Sequence, residues 1–149
     1  RLLQGERTLE IDGEVVAIPG RWPRRVTRPT RTIAPGDRIG SLQVIAAPGH
    51  APDQVAFLDT RDRTLIAGDA FQTRGDVAVS GTIVPTFPFP SIFTWDKDAA
   101  LDSARLLRSL EPSRLATGHG PVLEDPLPAM DRAIAVAQRK LADRVAHGA

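Results

Sequence analysis

The order of elements along the chain predicts an α/β fold in layers, a mixed sheet with helices laid over one face. Three observations carry this. Short runs rich in β-branched and large apolar residues recur through residues 7–67, as half-buried or buried strands require. The last third instead carries apolar residues at three- and four-residue steps, the helical period. Between its two helical segments lies a short strand-like run, Arg114–Thr117.

The elements follow in order. Arg7–Ile11 and Glu14–Ile18 flank Asp12-Gly13, a two-residue hairpin signal, since Gly accepts the positive φ of such turns. Thr30–Ile33 and Arg38–Ile39 bracket a turn at Ala34-Pro35-Gly36-Asp37. Leu42–Ala46, Val55–Asp59 and Thr64–Ala67 read as strands. Residues 72–93 lack a clear period and hold Pro85, Pro88 and Pro90, so a long loop is expected. A helix over Asp96–Leu110 takes Thr94 or Asp96 as its N-cap and places Ala100, Ala104, Leu107 and Leu110 on one face. Glu111-Pro112 ends it, because the residue before Pro is pushed out of the α region. A second helix starts at Asp125-Pro126, read as an N-cap followed by Pro at the first helical position. Leu127, Met130, Ile134, Ala137, Leu141 and Val145 form its apolar stripe. His147 falls in its last turn and is read as a surface residue, not a ligand.

Composition bounds the function without choosing it. The 149 residues can bury roughly two-thirds of their unfolded surface. A hydrophobic content of 42% and a net charge of +1 describe an ordinary globular piece with no global field to draw it to nucleic acid or membrane. There is no run of 18 apolar residues and no signal-peptide pattern. A cytoplasmic location is taken as a default expectation, not deduced from the sequence. Cysteine is absent, which leaves only His and carboxylates as metal ligands.

Three glycine-flanked loops carry the chemistry: Pro48-Gly49-His50, Gly68-Asp69-Ala70 and Gly118-His119-Gly120. Each follows a strand, so strands that share a sheet and a direction would bring two histidines and an aspartate to one rim. Imidazole and carboxylate are zinc's preferred ligands here, and a small neighbour lets the backbone come close. Taken singly, each loop reads as well as an ordinary turn.

The longer words around the loops are more specific. Val44 through Leu58, containing Pro-Gly-His, Leu65-Ile66-Ala67-Gly68-Asp69-Ala70-Phe71, and Leu110 through Pro121, containing Gly-His-Gly, resemble three segments of the metallo-β-lactamase superfamily in the family's order. The resemblance runs from about Thr30 to about Ala137. It implies an αβ/βα sandwich of which this chain is the C-terminal half, with metals at one edge. It further implies that His50, Asp69 and His119 are metal ligands: His50 on the first Zn²⁺, Asp69 bridging two ions, His119 on the second. The family's His-x-His-x-Asp-His segment is absent, and no histidine precedes His50. Ala51 stands where the family usually has Thr, and Asp53 where Gly is common.

The resemblance implies a dizinc hydrolase that uses metal-bound hydroxide on an ester, thioester, lactone or amide. Its expected partners are a small-molecule substrate and the N-terminal half of the domain. Without that half, one apolar sheet face needs cover, so instability, aggregation or a homo-oligomer is expected. Residues 1–149 alone are expected to bind zinc weakly and to hydrolyse nothing. Two competing readings are a non-catalytic binding or scaffold homologue and a nuclease-type member. The nuclease reading would use Arg21, Arg24, Arg25, Arg28 and Arg31 as a phosphate-binding arm. Pro23 and Pro29 favour a solvated loop there, so no nucleic-acid binding is expected. Phe87, Phe89, Phe93 and Trp95 are read as packing against the sheet, with a substrate-pocket wall as the sharper alternative.

Overall fold

The structure, a computed structural model, describes residues 8–11, 14–17 and 31–147, with the side chains of residues 8–17, Phe89, Pro90, Val145 and His147 left out of the description. The chain divides into two compact units, residues 1–32 and 33–149. In the first, β1 (Thr8–Ile11) and β2 (Glu14–Ala17) form the antiparallel hairpin that Asp12-Gly13 predicts, with Ile11 opposite Glu14. Arg21, Arg24, Arg25 and Arg28 lie outside the described residues; Arg31 is exposed.

The second unit is built on a six-stranded mixed sheet. Its strands are β3 (Arg38–Ile39), β4 (Leu42–Ala46), β5 (Val55–Asp59), β6 (Thr64–Gly68), β9 (Arg114–Thr117) and β10 (Leu123–Glu124). Across the sheet the order is β10-β9-β6-β5-β4-β3. β3 to β6 form an antiparallel meander, while β6 and β9 run parallel. A parallel pair cannot be closed by a hairpin and needs a crossover. The crossover here contains β7 (Phe71–Gln72), β8 (Ala78–Val79), α1 (Phe89–Ile92) and α2 (Lys97–Ser109). After β10 the chain ends in α3 (Leu127–His147).

Strand alternation divides the sheet into two faces. Ala56, Leu58, Leu65, Ala67 and Leu115 join Ala100, Leu101, Ala104 and Leu107 of α2 and Met130, Ala133 and Ala137 of α3 in one buried core. The other face carries the row Val44, Phe57, Ile66 and Ala116, aligned by the ladder register. Ile66 is 40% exposed in that row. The layered α/β fold is thus realised, with both long helices on the core face.

Four expectations need correction. Residues 31–34 form no strand, and Thr30 lies outside the described residues. The turn absorbs the hydrogen bonds near this edge: Asp37 Oδ2 accepts from Ala34 N–H at 3.0 Å, and Gly36 N–H donates to the Val44 carbonyl. Residues 72–93 are not one loop. β7 and β8 pair antiparallel around buried Phe71, Ala78 and Val79, and α1 adds a helical turn. Elements of two to four residues are too short to show a period. Thirdly, α3 opens at Pro126, whose carbonyl accepts from Met130 N–H, whereas Asp125 has φ +47° and lies outside it. The fourth concerns the aromatics. Phe93 and Trp95 do not pack against the sheet, being 66% and 56% exposed.

Of the two candidate caps for α2, Asp96 is the one used. Its Oδ1 accepts from the N–H groups of Asp98 and Ala99 at 2.9 and 3.0 Å, two of the donors a helix start leaves unpaired. Arg108 then clamps α2 to α3 through a two-pronged pair with Asp131, at 2.6 and 2.9 Å.

Candidate metal centre

Each of the three loops leaves the same end of its neighbouring strands. β4 ends at Ala46 and runs on through Ala47-Pro48-Gly49 to His50. Gly49, with φ +136°, is packed so closely that a Cβ would stand 2.4 Å from the Ala100 backbone. That contact lets α2 seat on the loop: Asp96 N–H donates to the Gly49 carbonyl at 2.9 Å, and Ser103 Oγ to the Pro48 carbonyl at 2.6 Å. Asp69 follows β6 directly. The β6–β9 register slips between Ile66 and Gly68, and such irregularities re-aim the residue that follows. His119 leaves parallel β9, where Gly118 N–H donates to the Gly68 carbonyl at 2.9 Å.

The structure brings His50, Asp69 and His119 together, although 19 and 50 positions separate them in sequence. His50 Nε2 stands 3.6 Å from Asp69 Oδ2, and His119 Nε2 stands 3.6 Å from Asp69 Oδ1. Both distances exceed a hydrogen bond. Asp69 Oδ1 is buried and has no hydrogen-bond partner. A Cβ on Gly118 would fall 2.3 Å from that oxygen, so glycine is what lets the carboxylate lie against the His119 loop. Among the described residues, no group of three or more His, Cys, Asp and Glu side chains gathers as the ligand set of a single ion. The arrangement is pairwise, one histidine on each carboxylate oxygen.

Several supporting residues carry no sequence signal of their own. Ser80 Oγ lies 3.2 Å from His50 Nδ1 and 2.9 Å from Thr94 Oγ1, so a buried hydroxyl orients the imidazole. Thr73 ties the His119 loop down, its N–H donating to the His119 carbonyl at 2.9 Å and its Oγ1 to the Pro121 carbonyl at 2.6 Å. Phe87 stacks at a tilt on His119, with ring centroids 5.1 Å apart, and the Arg74 guanidinium lies 4.6 Å from the Phe87 centroid. Trp95 meets this region through its backbone, donating to the His50 carbonyl at 3.3 Å. The Phe89 side chain lies outside the described residues, as does that of His147, the last residue of α3. No helix among the described residues is long and apolar enough to cross a membrane.

A mixed sheet with helices on one face carries a His–Asp–His rim at the ends of its strands. The family model of the Metallo-beta-lactamase superfamily matches residues 3–119, and the chain belongs to that superfamily. The uncharacterized protein YobT of Bacillus subtilis (strain 168) is 48% identical over 139 residues, which are 93% of this chain and 60% of YobT. The probable metallo-hydrolase YflN of the same organism is 35% identical over 79 residues, 51% of this chain and 30% of its own length. Among solved structures, the di-iron-bound form of TTHA1623 is 32% identical with a TM-score of 0.52, covering 72% of this chain and 48% of that one. The metallo-beta-lactamase family protein TTHA1429 from Thermus thermophilus shares the fold at 23% identity and a TM-score of 0.51, covering 97% of this chain and 37% of its own. The chain thus spans between about a third and three-fifths of the length of these relatives.

Proposed function

We propose that this chain supplies one side of a two-metal hydrolase centre, with His50 and His119 on different ions and Asp69 bridging them. The observation that carries the reading is the unpartnered, buried Asp69 Oδ1 facing His119. A buried carboxylate oxygen without a donor costs about 1–3 kcal/mol or more, so its retention points to a ligand from outside the chain. The 3.6 Å separations support the same reading. Two tetrahedral ligands, each ~2.0–2.2 Å from one zinc ion, stand about 3.4 Å apart.

The donor set fits a divalent ion of zinc type, and the di-iron form of TTHA1623 makes iron the second choice. When bound, such ions lower the pKa of water toward ~7 and polarise the bond under attack. The chain's own residues do the positioning. Ser80 fixes the His50 ring so that Nε2 faces Asp69. Gly118 and Thr73 set the His119 loop against Asp69. Phe87 walls the His119 side, and exposed Phe93 and Trp95 offer apolar surface to a small substrate. The substrate class remains an ester, thioester, lactone or amide.

Three side chains cannot complete two catalytic ions, each of which usually takes about three protein ligands. On this reading the remaining ligands would come from a His-x-His-x-Asp-His segment of the kind the resemblance to the superfamily implies. The test compares residues 1–149 with the same chain preceded by such a segment. Equilibrium dialysis should show weak zinc binding by the first and two tightly held ions in the second. Only the second should hydrolyse an activated ester, thioester or lactone. Robust turnover by residues 1–149 alone would show the site to be misassigned. An inert but fully metallated longer protein would favour a binding or scaffold role.

A further inference from the structure

Ser80, which orients His50, also lines a cavity on the helical side of the unit. β8 ends at Val79, and the chain turns at Gly81 with φ +84°. A Cβ there would stand 2.8 Å from Lys97 Cγ, so the lysine stem lies directly across this turn. Lys97 is the first residue of α2. Opposite it, α3 brings up Lys140 and Arg144, one helical turn apart and so on one face. Lys140 Nζ donates to the Ile83 carbonyl at 3.3 Å. These three cations, with Ser80, Gly81, Thr82, Ile83, Ala137 and Leu141, line a cavity of about 280 Å³.

No carboxylate is in that lining. Asp98 is next to Lys97 in sequence, and adjacent helical residues do not face each other, whereas Asp143 stands three positions from Lys140 and can offset part of its charge. Among the described residues, neither Lys97 nor Arg144 forms an ion pair. Three cations around one hollow make it electropositive, with Lys140 and Arg144 exposed and partly screened by water. The rest of the wall is different in kind: Ile83, Ala137 and Leu141 present apolar surface.

We propose that this cavity is a binding site for a small organic anion, a carboxylate or phosphate monoester on a short apolar stem. Lys97, Lys140 and Arg144 take the charged head, and Ile83, Ala137 and Leu141 take the stem. The hollow is open to solvent on one side, and a short-chain anion such as hexanoate or butyl phosphate is of a size to enter it. The site shares Ser80 with the surroundings of His50 but does not depend on the hydrolase reading.

Calorimetric titration of the metal-free chain, in the presence of a chelator, tests it with hexanoate, butyl phosphate and inorganic phosphate. Saturable one-to-one binding of hexanoate or butyl phosphate is expected, and the tighter of the two identifies the head group. The affinity should fall at least tenfold in the double variant K140Q/R144Q and be kept in K140R/R144K, which retains both charges. Absence of saturation by both organic anions, or equal affinity in K140Q/R144Q, would overturn the site. Inorganic phosphate binding as tightly as butyl phosphate would overturn the role of the apolar wall. Loss of binding in the charge-retaining variant as well would show that charge is not what the cavity reads.

Discussion

The parallel pair β6–β9 has two ends built from the same kinds of residue, and they are finished in opposite ways. At the starting end, Asp59, Asp62 and Glu124 are each paired with an arginine. Asp59 holds Arg61 at 2.6 Å, and Arg114 bridges Asp62 at 3.1 Å and Glu124 at 2.8 Å. Asp62 Oδ1 also accepts from Thr64 N–H at 3.0 Å, the Arg63 guanidinium donates to the Leu110 carbonyl, and Ser113 Oγ donates to the Asp62 carbonyl. At the finishing end, Asp69 has two histidines at 3.6 Å and one buried oxygen with no donor. Paired charges lock a strand end in place. Donor groups held near each other but not hydrogen-bonded to one another keep their lone pairs available, as metal ligation requires.

The largest test of this contrast is Asp69→Ala in the protein with its ligand set completed. Hydrolysis should fall to background while the thermal midpoint of the metal-free protein holds or rises, because a buried unsatisfied oxygen is removed. A cooperative loss of fold in the metal-free variant would place Asp69 with the structural carboxylates instead. Gly118→Ala should come next. Its methyl group would displace Asp69 Oδ1 from 2.3 Å, and a shift of about 1 Å at a catalytic group costs about 10²-fold. Activity at unchanged zinc affinity would separate packing from ligation. Ser80→Ala should lower zinc affinity by roughly tenfold, the lower range for removing a ligand's orienting partner, with competition against a chelating dye as the readout.

The smallest effect belongs to the opposite end. The Arg61 side chain, then the Arg61 backbone N–H, hold the Asp59 carboxyl far below the usual carboxylate range. The Thr64 backbone N–H, ahead of Arg114, lowers that of Asp62. Since the folded values lie below the ordinary 3.8, their contribution is complete above about pH 4 and lost as the pH falls further. Asp59→Asn should therefore flatten the acid limb of a plot of thermal midpoint against pH and leave zinc binding unchanged. A change in metal affinity would break the division between the two ends.

What the sequence made legible follows the length of each signal. The five-residue strands β4 and β5 and the long helices are read within a residue or two, because periodicity needs that length to show itself. β7, β8, β10 and α1 have two to four residues each and left no period to find. Asp125-Pro126 misled by one position because the aspartate spends its positive φ on the turn before the helix. At the rim, His50, Asp69 and His119 were marked by their glycines. Ser80 and Thr73 were invisible, since a hydroxyl placed by a two-residue strand looks like any other serine or threonine in a loop. The same holds for the basic cavity: Lys97, Lys140 and Arg144 become one cluster only when α2 and α3 are packed together.

The parallel pairing of β6 with β9 also bears on the order in which the chain can fold. The meander from β3 to β6 joins neighbours in sequence, and such contacts close early, whereas β9 must return across the whole intervening crossover. Asp69 and His119 are thus strangers until that late event, while Asp69 and His50 lie on neighbouring hairpins from the start. In the protein with its ligand set completed, refolding followed with a metal-sensitive dye should therefore lag behind the recovery of helical signal.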